Sequence, residues 1–98
     1  MISLSPETKD RIRKIFVESD WLEIEEYLLN ECGDTLPLVE TSYVVLAERI
    51  RFAVLKCSGG DYAELKRWVG MAKQDWRDVL VAAGFGNSIN AHLEWQPG

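Results

Sequence analysis

Metal and thiol chemistry have little to work with in this chain, which holds two cysteines and one histidine in 98 residues. Cys32 and Cys57 lie in apolar helical contexts with no CxxC or HxxxH partner, and His92 stands alone. A metal site needs three or four ligands, and none is marked, so no metal or cofactor is expected. The thiols read as core side chains, because buried free cysteine behaves as a small hydrophobe. A general base needs a nucleophile or substrate proton in reach, and nothing near His92 supplies one. Nucleotide-cradling glycine loops are missing as well, since the glycines at 59, 60, 84 and 86 fall at helix stops. No catalytic constellation is marked, so the expectation is that the protein is not an enzyme.

Long apolar runs are also absent. The longest, Tyr43 to Ala47 and Val79 to Ala83, are about five residues, against the roughly 20 that span a bilayer. The first residues, MISLSPETKDRIRK, contain no apolar stretch of the kind a secretory signal requires. A cytoplasmic protein is expected.

One further absence is local. Between Glu18 and Glu40 there are eight carboxylates and no Lys or Arg. Residues 1–40 carry ten acidic and four basic side chains, whereas residues 41–98 carry six and seven. With a net charge of −5, the chain is poorly suited to a phosphate backbone, where affinity comes mainly from neutralising cations.

The hydrophobic share of 47% and charged share of 28% are those of a folded domain, and the length suits one core. Periodicity is helical throughout. Ser5-Pro6 is a helix start, with Ile12, Ile15 and Phe16 on one face. Asp20 and Glu23 have capping-box spacing, and Trp21, Ile24, Leu28 and Cys32 follow at steps of three or four. Gly33 is expected to stop that helix in the left-handed conformation. Thr41 or Ser42 caps the next, whose stripe is Leu46, Ile50, Ala53, Val54 and Cys57. Phe52 lies off that stripe, which marks a central helix, and Glu48, Arg49, Arg51 and Lys56 are expected towards solvent. Asp61 and Glu64 form a second capping box. Asp75 and Asp78 repeat the cap signal, so a kink is expected near Gln74, giving one bent helix or two nearly coaxial ones. The expectation is an all-α single-domain bundle (1–98) of four to five helices, about 6–18, 21–32, 42–57, 62–73 and 75–84, with a short C-terminal turn.

Candidate partner-binding residues follow from aromatic size and charge. Trp21 and Trp76 fall on apolar stripes and read as core, leaving Trp68 and Trp95 as exposed anchors, since tryptophan is enriched at binding hot spots. Asp75, Arg77 and Asp78 would make a charged rim, although helix-terminal carboxylates explain the same pattern. Glu23, Glu25 and Glu26 make the second helix acidic on its outer side, which is either a solvated face or a surface for a basic partner. Lys66, Arg67 and Lys73 form the one basic cluster and support the alternative of a nucleic-acid-associated regulator. A helix-turn-helix around Gly84 fails its own pattern, with Leu80 where a small residue is needed and no Lys or Arg between Asn87 and Leu93.

Two runs of residues look familiar. Arg49, Ala53, Leu55, Lys56, Ser58, Gly60 and Asp61, followed by Ala72, Lys73, Asp75, Trp76, Arg77, Asp78, Val79 and Leu80, resemble motifs of a group of small bacterial proteins of unknown function. An acidic-to-apolar helix ending in Gly matches Asp20 to Gly33, and Cys57 stands where Leu is usual. The resemblance implies a bacterial helical protein and carries no active site. The combined expectation is a small non-catalytic protein-binding or accessory module. Its partner would be another protein, with a basic one as a candidate. Nucleic acid and membrane are disfavoured, an unmarked small enzyme ranks third, and self-association is left open.

Overall fold

The computed structural model describes residues 3–16, 21–33, 43–86, 92 and 95. Four helices, α1 (Pro6–Ile15), α2 (Trp21–Glu31), α3 (Tyr43–Ser58) and α4 (Tyr62–Ala83), make an all-α bundle, with no strand among the described residues. None of these helices is long and apolar enough to cross a membrane.

The local signals act where expected. Ser5 is the N-cap of α1 and accepts from the Thr8 backbone N–H at 3.1 Å, with Pro6 in the first turn. The helix ends sooner than its periodicity suggests, because Phe16 leaves helical geometry (φ −103°, ψ 67°). The expected continuation to residue 18, the Asp20 cap and the Thr41 or Ser42 cap lie outside the described residues. Gly33 does follow α2, but its φ is not positive, so the left-handed stop expected there is not used.

The α3–α4 turn does need glycine. Gly59 and Gly60 have φ of 61° and 87°, and a Cβ on Gly60 would come within 2.9 Å of the Ile15 carbonyl oxygen. Asp61 then caps α4, its carboxylate accepting from Ala63 and Glu64 N–H at 2.8 and 3.2 Å. The reciprocal half of the box is missing. Asp61 N–H donates to the Ser58 carbonyl instead, and the Glu64 carboxylate takes Arg67.

Helix α4 breaks at Asp75, whose φ −154° and ψ 92° are extended, and whose carboxylate accepts from Arg77 N–H at 3.1 Å as a fresh cap. A straight 22-residue helix would hold its ends roughly 33 Å apart. Lys56, six residues before Tyr62, nevertheless reaches the Ala83 carbonyl at 2.8 Å. The second half therefore turns back along α3, and the nearly coaxial arrangement is excluded. Gly84, left-handed at φ 80°, ends the helix, and Phe85 N–H closes on the Leu80 carbonyl.

The core runs through Ile12, Phe16, Ile24, Leu28, Ile50, Phe52, Val54, Leu55, Leu65, Val69, Val79 and Phe85. Helix α3 is buried on two sides and packs chiefly on α4; α1 packs on α3, and α2 packs mainly on α1. Arg51, expected in solvent, is 1% exposed. Its guanidinium donates to the Cys32 carbonyl at 2.7 Å and the Ser3 carbonyl at 2.9 Å. The fork satisfies carbonyls at the end of α2 and ahead of α1, which a buried cation requires.

Candidate partner-binding surface

The eight expected site residues fall into three places. Glu23, Glu25 and Glu26 are on α2. Trp68 is on the first half of α4, while Asp75, Arg77 and Asp78 sit at and beyond its break. Trp95 belongs to an aromatic cluster against α3.

Helix α2 sends Ile24 and Leu28 inward and partly buries Glu25, Tyr27, Leu29 and Glu31. Glu23 and Glu26 are exposed. Glu25 is more enclosed, with its side chain 12% exposed and Arg13 3.8 Å away. The atom that faces Arg13 is the buried Oε1, which makes no hydrogen bond at that distance. Leu22 is 72% exposed. Trp21, read from its stripe as core, is exposed, because it opens the helix at the edge of the bundle. Its indole N–H bonds the Phe16 carbonyl, and Arg13 lies over its ring at 5.7 Å.

Two open depressions flank α2. One, about 340 Å³, is lined by Ser3, Leu4 and Lys9 on one side and Leu22, Glu25, Glu26 and Leu29 on the other. The second, about 270 Å³, lies towards α4 between Glu23, Glu31, Tyr27 and Tyr62. In the second, the Tyr27 and Tyr62 rings meet edge to face at 5.8 Å.

The basic residues on α4 have local partners, with Lys66 and Arg67 exposed. Lys66 sits 4.3 Å from the Tyr62 ring centroid and 5.8 Å from that of Tyr27. Lys73 pairs with Glu31 at 2.5 Å. Arg67 pairs with Glu64 at 2.6 Å and covers the Trp68 ring at 5.0 Å. Trp68 is consequently half-buried rather than an open anchor. Trp76 is half-buried too, with Arg77 5.2 Å over its ring. Asp75, Arg77 and Asp78 are exposed, and Asp75 is occupied as a cap.

Trp95, expected in the open, packs against Phe52 and Phe85 at 6.3 and 6.2 Å, and its carbonyl accepts from the buried Arg11 guanidinium. His92, 2% exposed, sits in the same cluster. Its Nε2 lies 3.0 Å from Glu48 Oε1, and its Nδ1 is buried without a partner. Packing of the ring against Phe52 at 5.0 Å accounts for its position as a core histidine. Among the described residues, no group of three His, Cys, Asp or Glu could hold a metal ion.

The motif residues have structural duties. Arg49 donates to the Phe85 carbonyl at 3.1 Å and Lys56 to that of Ala83, so two α3 cations meet the negative end of α4. The Ser58 hydroxyl donates to the Leu55 carbonyl and accepts from Gly60 N–H, shaping the turn. Burial pushes the Cys32 thiol up to about 12 despite the nearby Arg51, and raises that of Cys57, so neither is poised as a nucleophile.

Compared with protein-family models, curated proteins and solved structures, the chain matches none. The groove residues Leu22 and Leu29 escaped the sequence reading, although a signal exists. Seven positions apart, they share a face that the buried Ile24–Leu28 stripe does not use.

Proposed function

We propose that the protein is a small non-catalytic module that binds another protein, with α2 as the docking helix for a basic partner. The observation that supports this best is the surface of α2, where exposed Glu23 and Glu26 and enclosed Glu25 stand beside the exposed Leu22. Carboxylates so placed steer a basic partner, and the apolar edge gives it something to bury against. On α4, Lys66, Arg67 and Lys73 are engaged with rings and carboxylates, which reduces what they offer a phosphate backbone. Within this reading the protein works in a bacterial cytoplasm, as the resemblance of its 49–80 segment implies.

Affinity capture from native-cell extract tests the proposal, with the wild type and a Glu23→Lys/Glu25→Lys/Glu26→Lys variant as paired baits. A basic protein should be retained at low salt by the wild type and lost on the variant, with unchanged helical circular dichroism. Identical captured proteins on both baits would remove α2 as the docking helix. Retardation of duplex DNA at about tens of micromolar protein in low salt would favour the nucleic-acid alternative.

A further inference from the structure

We infer that the groove between the N-terminal segment and α2 is the seat for one basic amphipathic helix of a partner protein. This rests on the reading of α2 as a docking helix and assigns it a site and a ligand chemistry. Leu22, Glu25, Glu26 and Leu29 occupy positions i, i+3, i+4 and i+7 of α2, so they form one stripe, and Leu4 faces them across the groove. The two leucines lie about 10 Å apart along the axis with two carboxylates between them. A matching ligand presents apolar groups one i,i+7 interval apart with cations between. That is the pattern of a helix laid into a groove.

The volume, about 340 Å³, suits one or two anchoring side chains of such a segment. Charge selects its sign. Glu25 and Glu26 outnumber Lys9 in the lining, and Glu25 Oε1 has Arg13 only at 3.8 Å, beyond hydrogen-bond reach. The walls are fixed from below, since Arg51 holds the Ser3 carbonyl on one side and the Cys32 carbonyl on the other. Arg51 is thus a positioning residue for the groove, and a groove already formed costs less to fill.

The probe is a synthetic helical peptide of about four turns, with Leu at i and i+7 and Lys at i+3 and i+4, titrated into the isotope-labelled full chain. One control replaces Lys with Glu; a second scrambles the order so that no apolar stripe remains. At low salt the Lys peptide should shift the amides of Leu4, Leu22, Glu25, Glu26 and Leu29. Leu22→Ser/Leu29→Ser should weaken binding about tenfold and Glu25→Gln several-fold, with the fold verified by circular dichroism.

The proposal is overturned if the Glu or scrambled peptide binds equally well, if the shifts map to the Trp68–Met71 side of α4, or if nothing binds at ~1 mM peptide. Charge-sensitive capture that persists alongside any of these results would leave α2 as a docking helix without this groove. Loss of both would sink both readings.

Discussion

The α3–α4 unit and the α1–α2 unit are built on different terms. In the first, almost every distinctive residue is spent on the fold: Arg49 and Lys56 cap the end of α4, Gly59 and Gly60 make the turn, and Asp61 and Asp75 start its two halves. In the second, α2 buries Ile24 and Leu28 but leaves Leu22 in solvent and a Glu25 oxygen with Arg13 no nearer than 3.8 Å. The residues that catch the eye in a sequence are those of the first unit. The surface free to do something else belongs to the second. A distinctive motif therefore need not locate a function, because a sharp helix reversal has exacting requirements of its own.

The contrast can be broken most severely at its join. Arg51→Ala leaves two carbonyls without their charged donor, and a loss of about 3–5 kcal/mol is expected from urea unfolding. Hydrogen exchange should quicken in α2 more than in the first half of α4, and equal quickening would mean that the two units are not distinct. Next come paired truncations. Leu65→Ala, fully buried in α4, should cost about 2–5 kcal/mol, whereas Leu22→Ala should stay within about 0.5.

The Cys32 thiol links the units to pH. Burial holds its protonated form in the fold, from an ordinary value of 9.0 up to about 12. Between those values the unfolded chain has lost the proton and the folded chain keeps it. Stability should therefore be intact below about pH 9 and fall by up to ~1.4 kcal/mol per unit above it. Cys32→Ala should flatten that slope in paired melts, leaving the smaller part that comes from Cys57 and Tyr27, whose protonated forms burial also favours. Asp61→Ala should cost about 1 kcal/mol, and Glu64→Ala less, since Glu64 does not complete the capping box. The smallest effect is on reactivity: a thiol reagent should label half-buried Cys57 before Cys32.

Short-range signals made much of the fold legible. Ser5-Pro6 and Asp61 begin helices where capping chemistry says they should, and the second cap signal at Asp75 marks the break in α4. Direction after the break was not legible, because the return of Ala83 to Lys56 is a contact across 27 positions. Arg51 escaped for the same reason. A guanidinium is assigned to solvent by its charge alone, and its carbonyl partners lie 19 and 48 residues away. Of the candidate surface, the carboxylates of α2 were readable from charge. The groove was not, since its far wall is the segment before α1. Trp95 was misjudged because its cover comes from Phe52 and Phe85, distant in the chain.

The extended residue at Asp75 bears on how the chain can tolerate changes in length. Helical phase is carried forward residue by residue, so one amino acid inserted at Val69 would rotate everything up to the break by about 100° and turn Ala72 out of the core. At Asp75 the phase is already interrupted, and an added residue there would lengthen a bend without rotating either apolar stripe. Natural insertions and deletions in α4 should therefore gather at that single position.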